Sequence, residues 1–345
     1  MKRMRALVKT SPDTVELQQV PVPEPDASQV LIRVSAAALC GTDLHVYRWN
    51  TWARNAGIQL PVVMGHECCG EVVAAGAAVS GLHPGDKVAV ETHIPCGNCL
   101  QCRNGEQHIC ANLKLFSIHT DGCFAEYAVV PGVCARKIPE AISSRVGAVM
   151  EPLGTALRSA LEMQVAGASV LVTGCGPIGL FAVASAAALG ATRIIASDVS
   201  PNRLEIAGRM GAHRNVDPGA EDLVAAVLAE TGGTGVDAVI EASGNVSAIQ
   251  QAFRCLRKGG RVALVGLPDR PLELEIGKEV VFKEAKVVGI HGRTMFETWT
   301  RMENLLVSGK LDAMPAITHV LPLERWKEGI ELASNATACK VVFEP

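Results

Sequence analysis

The feature that most constrains the fold is Gly174-x-Gly176-x-x-Gly179 and what surrounds it. Directly before it stands Ser-Val-Leu-Val-Thr (169–173), an apolar run that reads as a buried strand. Directly after it an apolar stretch over 178–189 reads as a helix. Asp198 closes the next strand, 193–197, nineteen residues past Gly179. A glycine turn between a strand and a helix, with an acid ending the following strand, calls for a βαβ unit and parallel pairing. Such glycines let the backbone approach a pyrophosphate at a helix N-terminus. Asp198 can bind a ribose 2′-hydroxyl and would repel a 2′-phosphate, which favours NAD over NADP. Arg203 nearby can also meet a phosphate, so it pulls the other way. A glycine turn without a ligand is the plain alternative.

The alternation continues. Strands are expected at 236–241, 260–265 and 286–290, and helices at 154–163, 201–210, 220–230 and 246–257. This implies an α/β doubly wound parallel sheet. The first 150 residues read differently. Short strands at 5–9, 14–20, 30–36, 65–76, 124–130 and 135–138 are separated by Pro- and Gly-rich turns, which suggests a β-rich, barrel-like domain. A helix over 296–308, a strand and helix near 317–333 and a closing strand at 340–343 carry no cofactor signature. They are expected to return to the first domain.

A chain of 345 residues, 48% hydrophobic, is long enough for two packed cores. A net charge of −3 with no like-charge block argues against nucleic acid and against a polybasic membrane patch. The N-terminus lacks the apolar core of a signal peptide, and no apolar run is long enough to span a bilayer. The expectation is a soluble, cytoplasmic protein whose twelve cysteines stay reduced.

Four of those cysteines, Cys96, Cys99, Cys102 and Cys110, fall within fifteen residues. Four thiolates so close can cage a zinc tetrahedrally with no position left for water, which makes the site structural. Unliganded thiols or an iron–sulfur cluster are the other readings. A second set is Cys40, His66 and Glu67. A soft sulfur, an imidazole and a carboxylate suit a zinc with one open position, which lowers the pKa of a bound alcohol. Taken singly, Cys40 and His66 could each be core residues; Gly65 and Gly70 around the Glu67 strand strengthen the metal reading. Cys68 and Cys69 read as packing. Thr42 and His45 follow Cys40 by two and five residues. A hydroxyl there can take a proton and a histidine can pass it to solvent. Together with the nucleotide fingerprint, these groups compose a hydride transfer from an alcohol to NAD.

On these residues the chain resembles the zinc-containing medium-chain alcohol dehydrogenases. The matching pieces are Cys40-Gly41-Thr42-Asp43-x-His45, GHECCGEVVAAG (65–76), PGDKV (84–88), the four-cysteine lobe, GCFAEY (122–127) and GCGPIG (174–179). The resemblance spans essentially the whole chain. It implies a GroES-like β-barrel catalytic domain over 1–153, a Rossmann domain over 154–295 and a C-terminal return over 296–345. NTWAR (50–54), ETHIPCGNC (91–99) and above all GRTMFETWTRM (292–302) are similar to the branch that acts on L-threonine. That implies oxidation of its secondary alcohol to 2-amino-3-oxobutanoate with NAD, in a homotetramer with two zincs per subunit.

The same matching implies that Cys40, His66 and Glu67 hold the catalytic zinc and that Thr42 and His45 relay the proton. Glu151 would sit by the metal as an exchangeable ligand or relay group, and His93 near the substrate. Ile178, Asp198, Arg203, Val265, Gly266, Leu267, Ile290 and His291 would line NAD, beside Gly174, Gly176 and Gly179. Position 151 is Glu where that branch often has Asp, 291 is His where Tyr is common, and the loop 115–122 differs. A polyol or secondary-alcohol dehydrogenase is the alternative substrate reading, and a non-catalytic dinucleotide-binding protein the remote one.

Overall fold

The structure is a computed structural model that describes residues 2–345. The chain forms two compact units. The first runs to Glu151 and resumes with Ile317–Pro345; the second is Pro152–Ala316.

In the first unit the strand Gln29–Ala38 is central. It pairs antiparallel with Glu67–Ala75, with Tyr127–Pro131 and with the last strand of the chain, Lys340–Glu344. Gln29–Ala38 alternates buried and less buried side chains because one face meets the core. Beyond Glu67–Ala75 lie Lys87–Val90 and Ala135–Lys137, and beyond Lys340–Glu344 lies Ile317–Pro322. A separate three-stranded sheet joins Thr14–Pro21, Arg3–Ser11 and Val62–Val63. The core holds Leu7, Val30, Ile32, Val72, Phe124 and Phe343. The rings of Phe124 and Phe343 meet edge to face at 5.3 Å; burying each is worth about 2–3 kcal/mol.

The second unit is a six-stranded parallel sheet with the order 214–216, 193–197, 169–173, 236–241, 256–264, 286–289. The order reverses beside Ser169–Thr173, which places a crevice at the carboxyl ends of the strands there. Helix Pro177–Ala188 follows that strand with Pro at its first turn. It is apolar nearly all round, and most of it is buried. Asn245 caps helix Val246–Cys255 by accepting from the Ser247 and Ala248 N–H groups at 3.0 and 3.1 Å.

Among the differences from the sequence expectation, two bear on the architecture. The short strand Arg214–Val216 had no signal, because three residues at a sheet edge carry no readable alternation. The return to the first unit begins at Ile317, not at 296. Helix Glu297–Val307 stays with the second unit, where it buries Trp299 and Met302.

Candidate active site

Strand register brings the first metal set together. Ala38 pairs with Glu67 in the antiparallel ladder, so Cys40, just past one strand, meets His66 and Glu67 at the start of the other. Ligand atoms of Cys40, His66 and Glu67 lie within 4.8 Å of one another. Gly65 makes the approach possible: its φ is +90°, and a Cβ there would sit 2.4 Å from the Phe124 ring. Cys40 is also the N-cap of helix Gly41–Arg48, where its N–H donates to Asp43 Oδ2 at 2.9 Å.

Two partners were not anticipated from the sequence. Asp43, buried, places Oδ1 3.4 Å from His66 Nδ1, the arrangement that orients a metal-binding imidazole. Lys340, on the last strand, is wholly buried; its Nζ lies 2.8 and 2.5 Å from the two Glu67 oxygens and 2.9 Å from the Leu39 carbonyl oxygen. The pairing of Val342 with Ala38 puts Lys340 there, some 270 residues from Glu67 in sequence. No local motif announces such a partner.

The electrostatics of the set point one way. Burial pushes the Glu67 carboxyl up, and Glu151 adds to this against the pull of Lys340. Burial would lower His66 and Lys340, yet both are held above their ordinary values, His66 by Asp43 and Cys40 and Lys340 by Glu67 and Cys40. Glu67, His66 and Lys340 are thus all biased toward carrying a proton, Glu67 chiefly by burial and the other two by the acidic groups beside them. A divalent cation would oppose that bias, so the donor set fits zinc.

Near it are Glu91, His93 and Glu151, whose ligand atoms also lie within 4.8 Å of one another. Glu91 is fully buried, and its Oε1 accepts from the His93 N–H at 2.9 Å and meets His93 Nδ1 at 2.8 Å. Glu91 was not singled out from the sequence. Thr42 and His45 stand three apart on helix Gly41–Arg48, on one face, with His45 exposed. Cys68 and Cys69 are buried on the strand after His66, and burial raises the Cys69 thiol to about 12.

The four-cysteine lobe converges too. Ligand atoms of Cys96, Cys99, Cys102 and Cys110 lie within 4.8 Å of one another. Cys99 and Cys110 sulfurs are 3.7 Å apart, and Cys110 Sγ accepts from the Cys96 and Asn112 N–H groups at 3.3 Å each. The Asn98 backbone N–H and the Asn112 amide lower Cys96 to about 6, while burial raises Cys102 to about 12. Backbone donors aimed at sulfur favour thiolates, so this set also fits zinc.

In the second unit, Gly174, Gly176, Asp198 and Arg203 line a cavity of about 500 Å³ at the sheet's switch point, with Ser243 and Asn245. A Cβ on Gly179 would lie 1.7 Å from the Gly174 carbonyl oxygen, so only glycine lets this helix reach the strand. Asp198 Oδ2 accepts from the Cys175 N–H at 2.6 Å and Oδ1 from the Ser200 N–H at 2.8 Å. Arg203 Nη1 is 4.0 Å from Asp198. A glycine-lined crevice with an acid at its rim fits a dinucleotide. Ile178, Gly179, Val265, Gly266, Leu267, Ile290 and His291 do not line this cavity. The N–H groups of Val265 and Gly266 bond instead to the Glu241 carbonyl, at 2.9 and 3.0 Å.

The model of the alcohol dehydrogenase GroES-like domain matches residues 26–140, and that of the zinc-binding dehydrogenases matches 177–308. The chain belongs to the zinc-binding alcohol dehydrogenases, a family that works with a nicotinamide dinucleotide and zinc. It is 44% identical to the L-threonine 3-dehydrogenase of Pyrococcus abyssi and 42% identical to that of Bacillus subtilis, each over 344 residues and 99% of both chains. Among solved structures it resembles a zinc-binding dehydrogenase of Sinorhizobium meliloti bound to NADP, with a TM-score of 0.92 and 32% identity over 100% of both chains. The 2R,3R-butanediol dehydrogenase of Bacillus subtilis gives 0.89 and 28% over 99% of each.

Proposed function

We propose that the protein oxidises the secondary alcohol of L-threonine to 2-amino-3-oxobutanoate, with NAD as hydride acceptor. The observation that carries the substrate is the likeness to L-threonine 3-dehydrogenases across 99% of both chains. Cys40, His66 and Glu67 would hold one zinc, with Glu151 at hand as an exchangeable ligand; the four cysteines of the lobe would hold the other. Zinc in an open site supplies Lewis acidity, which makes an alcohol acidic near neutral pH. Thr42 Oγ1 would receive the hydroxyl proton, and His45, exposed on the same helix face, would pass it to solvent. His93, held by Glu91, would meet the amino acid end of the substrate. Gly174, Gly176 and Asp198 would seat the dinucleotide, joined by Gly179, Ile178, Arg203, Val265, Gly266, Leu267, Ile290 and His291. NAD, when bound, would supply the two-electron acceptor for the C3 hydrogen, and the hydroxyl proton would go to water, so the reaction balances.

The Asp198 carboxylate on the cavity lining can accept from a ribose hydroxyl and would repel a 2′-phosphate, which supports NAD over NADP. A homotetramer is proposed from the family resemblance. A cytoplasmic location is supported by twelve cysteines that form no disulfide among the described residues.

The test is kcat/KM with NAD⁺ across L-threonine, L-serine, 2,3-butanediol and sorbitol. A clear preference for threonine is expected. A preference for butanediol or sorbitol would replace this reading with a polyol or secondary-alcohol dehydrogenase.

A further inference from the structure

Asn50 joins two helices and touches a histidine of the site. It is the N-cap of helix Thr51–Asn55, and its Oδ1 accepts from the Ala53 N–H at 3.1 Å. A backbone N–H can only donate, so the amide has one orientation: the oxygen faces Ala53 and the NH₂ faces away. That nitrogen, Nδ2, lies 2.7 Å from His45 Nδ1. An amide NH₂ also can only donate. His45 Nδ1 must therefore accept, and the neutral ring carries its hydrogen on Nε2. The ring also leans on Trp52, with centroids 5.7 Å apart, which limits its rotation.

We propose that Asn50 is a positioning residue that fixes His45 as the Nε2–H tautomer, so that the only basic nitrogen of the ring is occupied and takes a proton only when the Asn50 bond opens. Asn50 thereby gates the exit of the proton. The consequence for catalysis rests on the reading of His45 as a relay group; the tautomer does not. His93 shows the opposite setting. Its Nδ1 faces the Glu91 carboxylate at 2.8 Å, which can only accept, so Nδ1 carries the hydrogen and Nε2 is the acceptor nitrogen. Two neighbours of opposite polarity thus set two histidines of one domain to opposite tautomers.

The test uses the full-length, zinc-loaded protein labelled with ¹⁵N-histidine, at a pH where the imidazole is neutral. His45→Gln assigns the His45 signals among the nine histidines by their loss. The expected wild-type pattern is that of an Nε2–H ring. Asn50→Asp keeps the cap at Ala53, since Asp caps as well as Asn, but offers His45 only acceptors. The hydrogen should move to Nδ1 and the two ring-nitrogen shifts should exchange. Asn50→Ser keeps the cap and loses the ring contact; it should give a mixture of tautomers, and it decides the matter if the Asp variant does not fold. A wild-type ring protonated on Nδ1, or a pattern unmoved by either variant, would overturn the proposal. Proton release in a single turnover, followed with an indicator dye, should be faster in Asn50→Asp than in wild type. A His45→Gln enzyme with unchanged turnover and proton release would remove the relay reading and leave the tautomer result standing.

Discussion

Lys340 Nζ stands 2.5 Å from Glu67 Oε2, with both side chains out of solvent. The last strand of the chain thus supplies a buried cation that faces a proposed zinc ligand. Lys340→Met should leave Glu67 buried without its partner and cost about 3–5 kcal/mol of stability in denaturant titrations. Glu67→Gln combined with Lys340→Met should recover part of the loss, because no buried charge is then left alone. A cost below about 1 kcal/mol for Lys340→Met would show that the pair is not what holds the strands together here.

Cys40→Ser removes the soft ligand of the open site. Metal analysis should find the zinc of the four-cysteine lobe retained and the other lost. Hydride transfer should fall about a thousandfold or more, equivalent to ~4 kcal/mol of barrier. Cys99→Ser should do the reverse: a lower melting temperature, with the open-site zinc kept in the molecules that remain folded. Full activity in Cys40→Ser would refute the assignment.

Asp198→Asn can keep an acceptor for only one of the two N–H groups, Cys175 and Ser200, that the carboxylate now serves. It also loses the charge that would repel a phosphate. NAD should bind about tenfold more weakly, ~1.4 kcal/mol, and discrimination against NADP should shrink. Calorimetric titration with both nucleotides measures this. Equal loss for both would place Asp198 in loop structure alone.

Asp237 ties two strands of the parallel sheet. It accepts from the Ser169 N–H and Oγ at 2.7 Å each and from Arg257 Nε at 2.6 Å. Partial burial pushes its carboxyl up, but these donors win and hold it below its ordinary 3.8. A depressed folded value means the stabilisation is present above pH ~4 and is lost as the pH falls through that value. Asp237→Asn should cost about 1 kcal/mol at neutral pH, a figure kept low because the side chain is about one-third exposed. The gap between variant and wild type should close as the pH falls below about 4 in denaturant titrations. A gap that stays constant with pH would mean the charge contributes nothing.

The sequence by itself determined whatever is local. Gly174 and Gly179 between a strand and a helix specified a tight strand-to-helix turn, because only glycine tolerates the contact between residues 174 and 179. Four cysteines in fifteen residues specified a metal lobe, since thiols so close can hardly avoid one another. Cys40, His66 and Glu67, whose ligand atoms the fold brings within 4.8 Å of one another, stood out in the sequence because donors of the right softness stood beside glycine. Tertiary structure decided what depends on register across the chain. Lys340 reaches Glu67 only through the pairing of Val342 with Ala38, and a lysine in a terminal strand carries no sign of burial. Asp43 behind His66 and Glu91 behind His93 look like ordinary surface acids until the backbone turns them inward. The return to the first unit falls at Ile317 rather than 296, and Trp299 and Met302 before it are buried within the second unit. Ligands that share a short segment announce themselves. The charges that balance them do not, because electrostatic compensation acts through space and leaves no spacing to read.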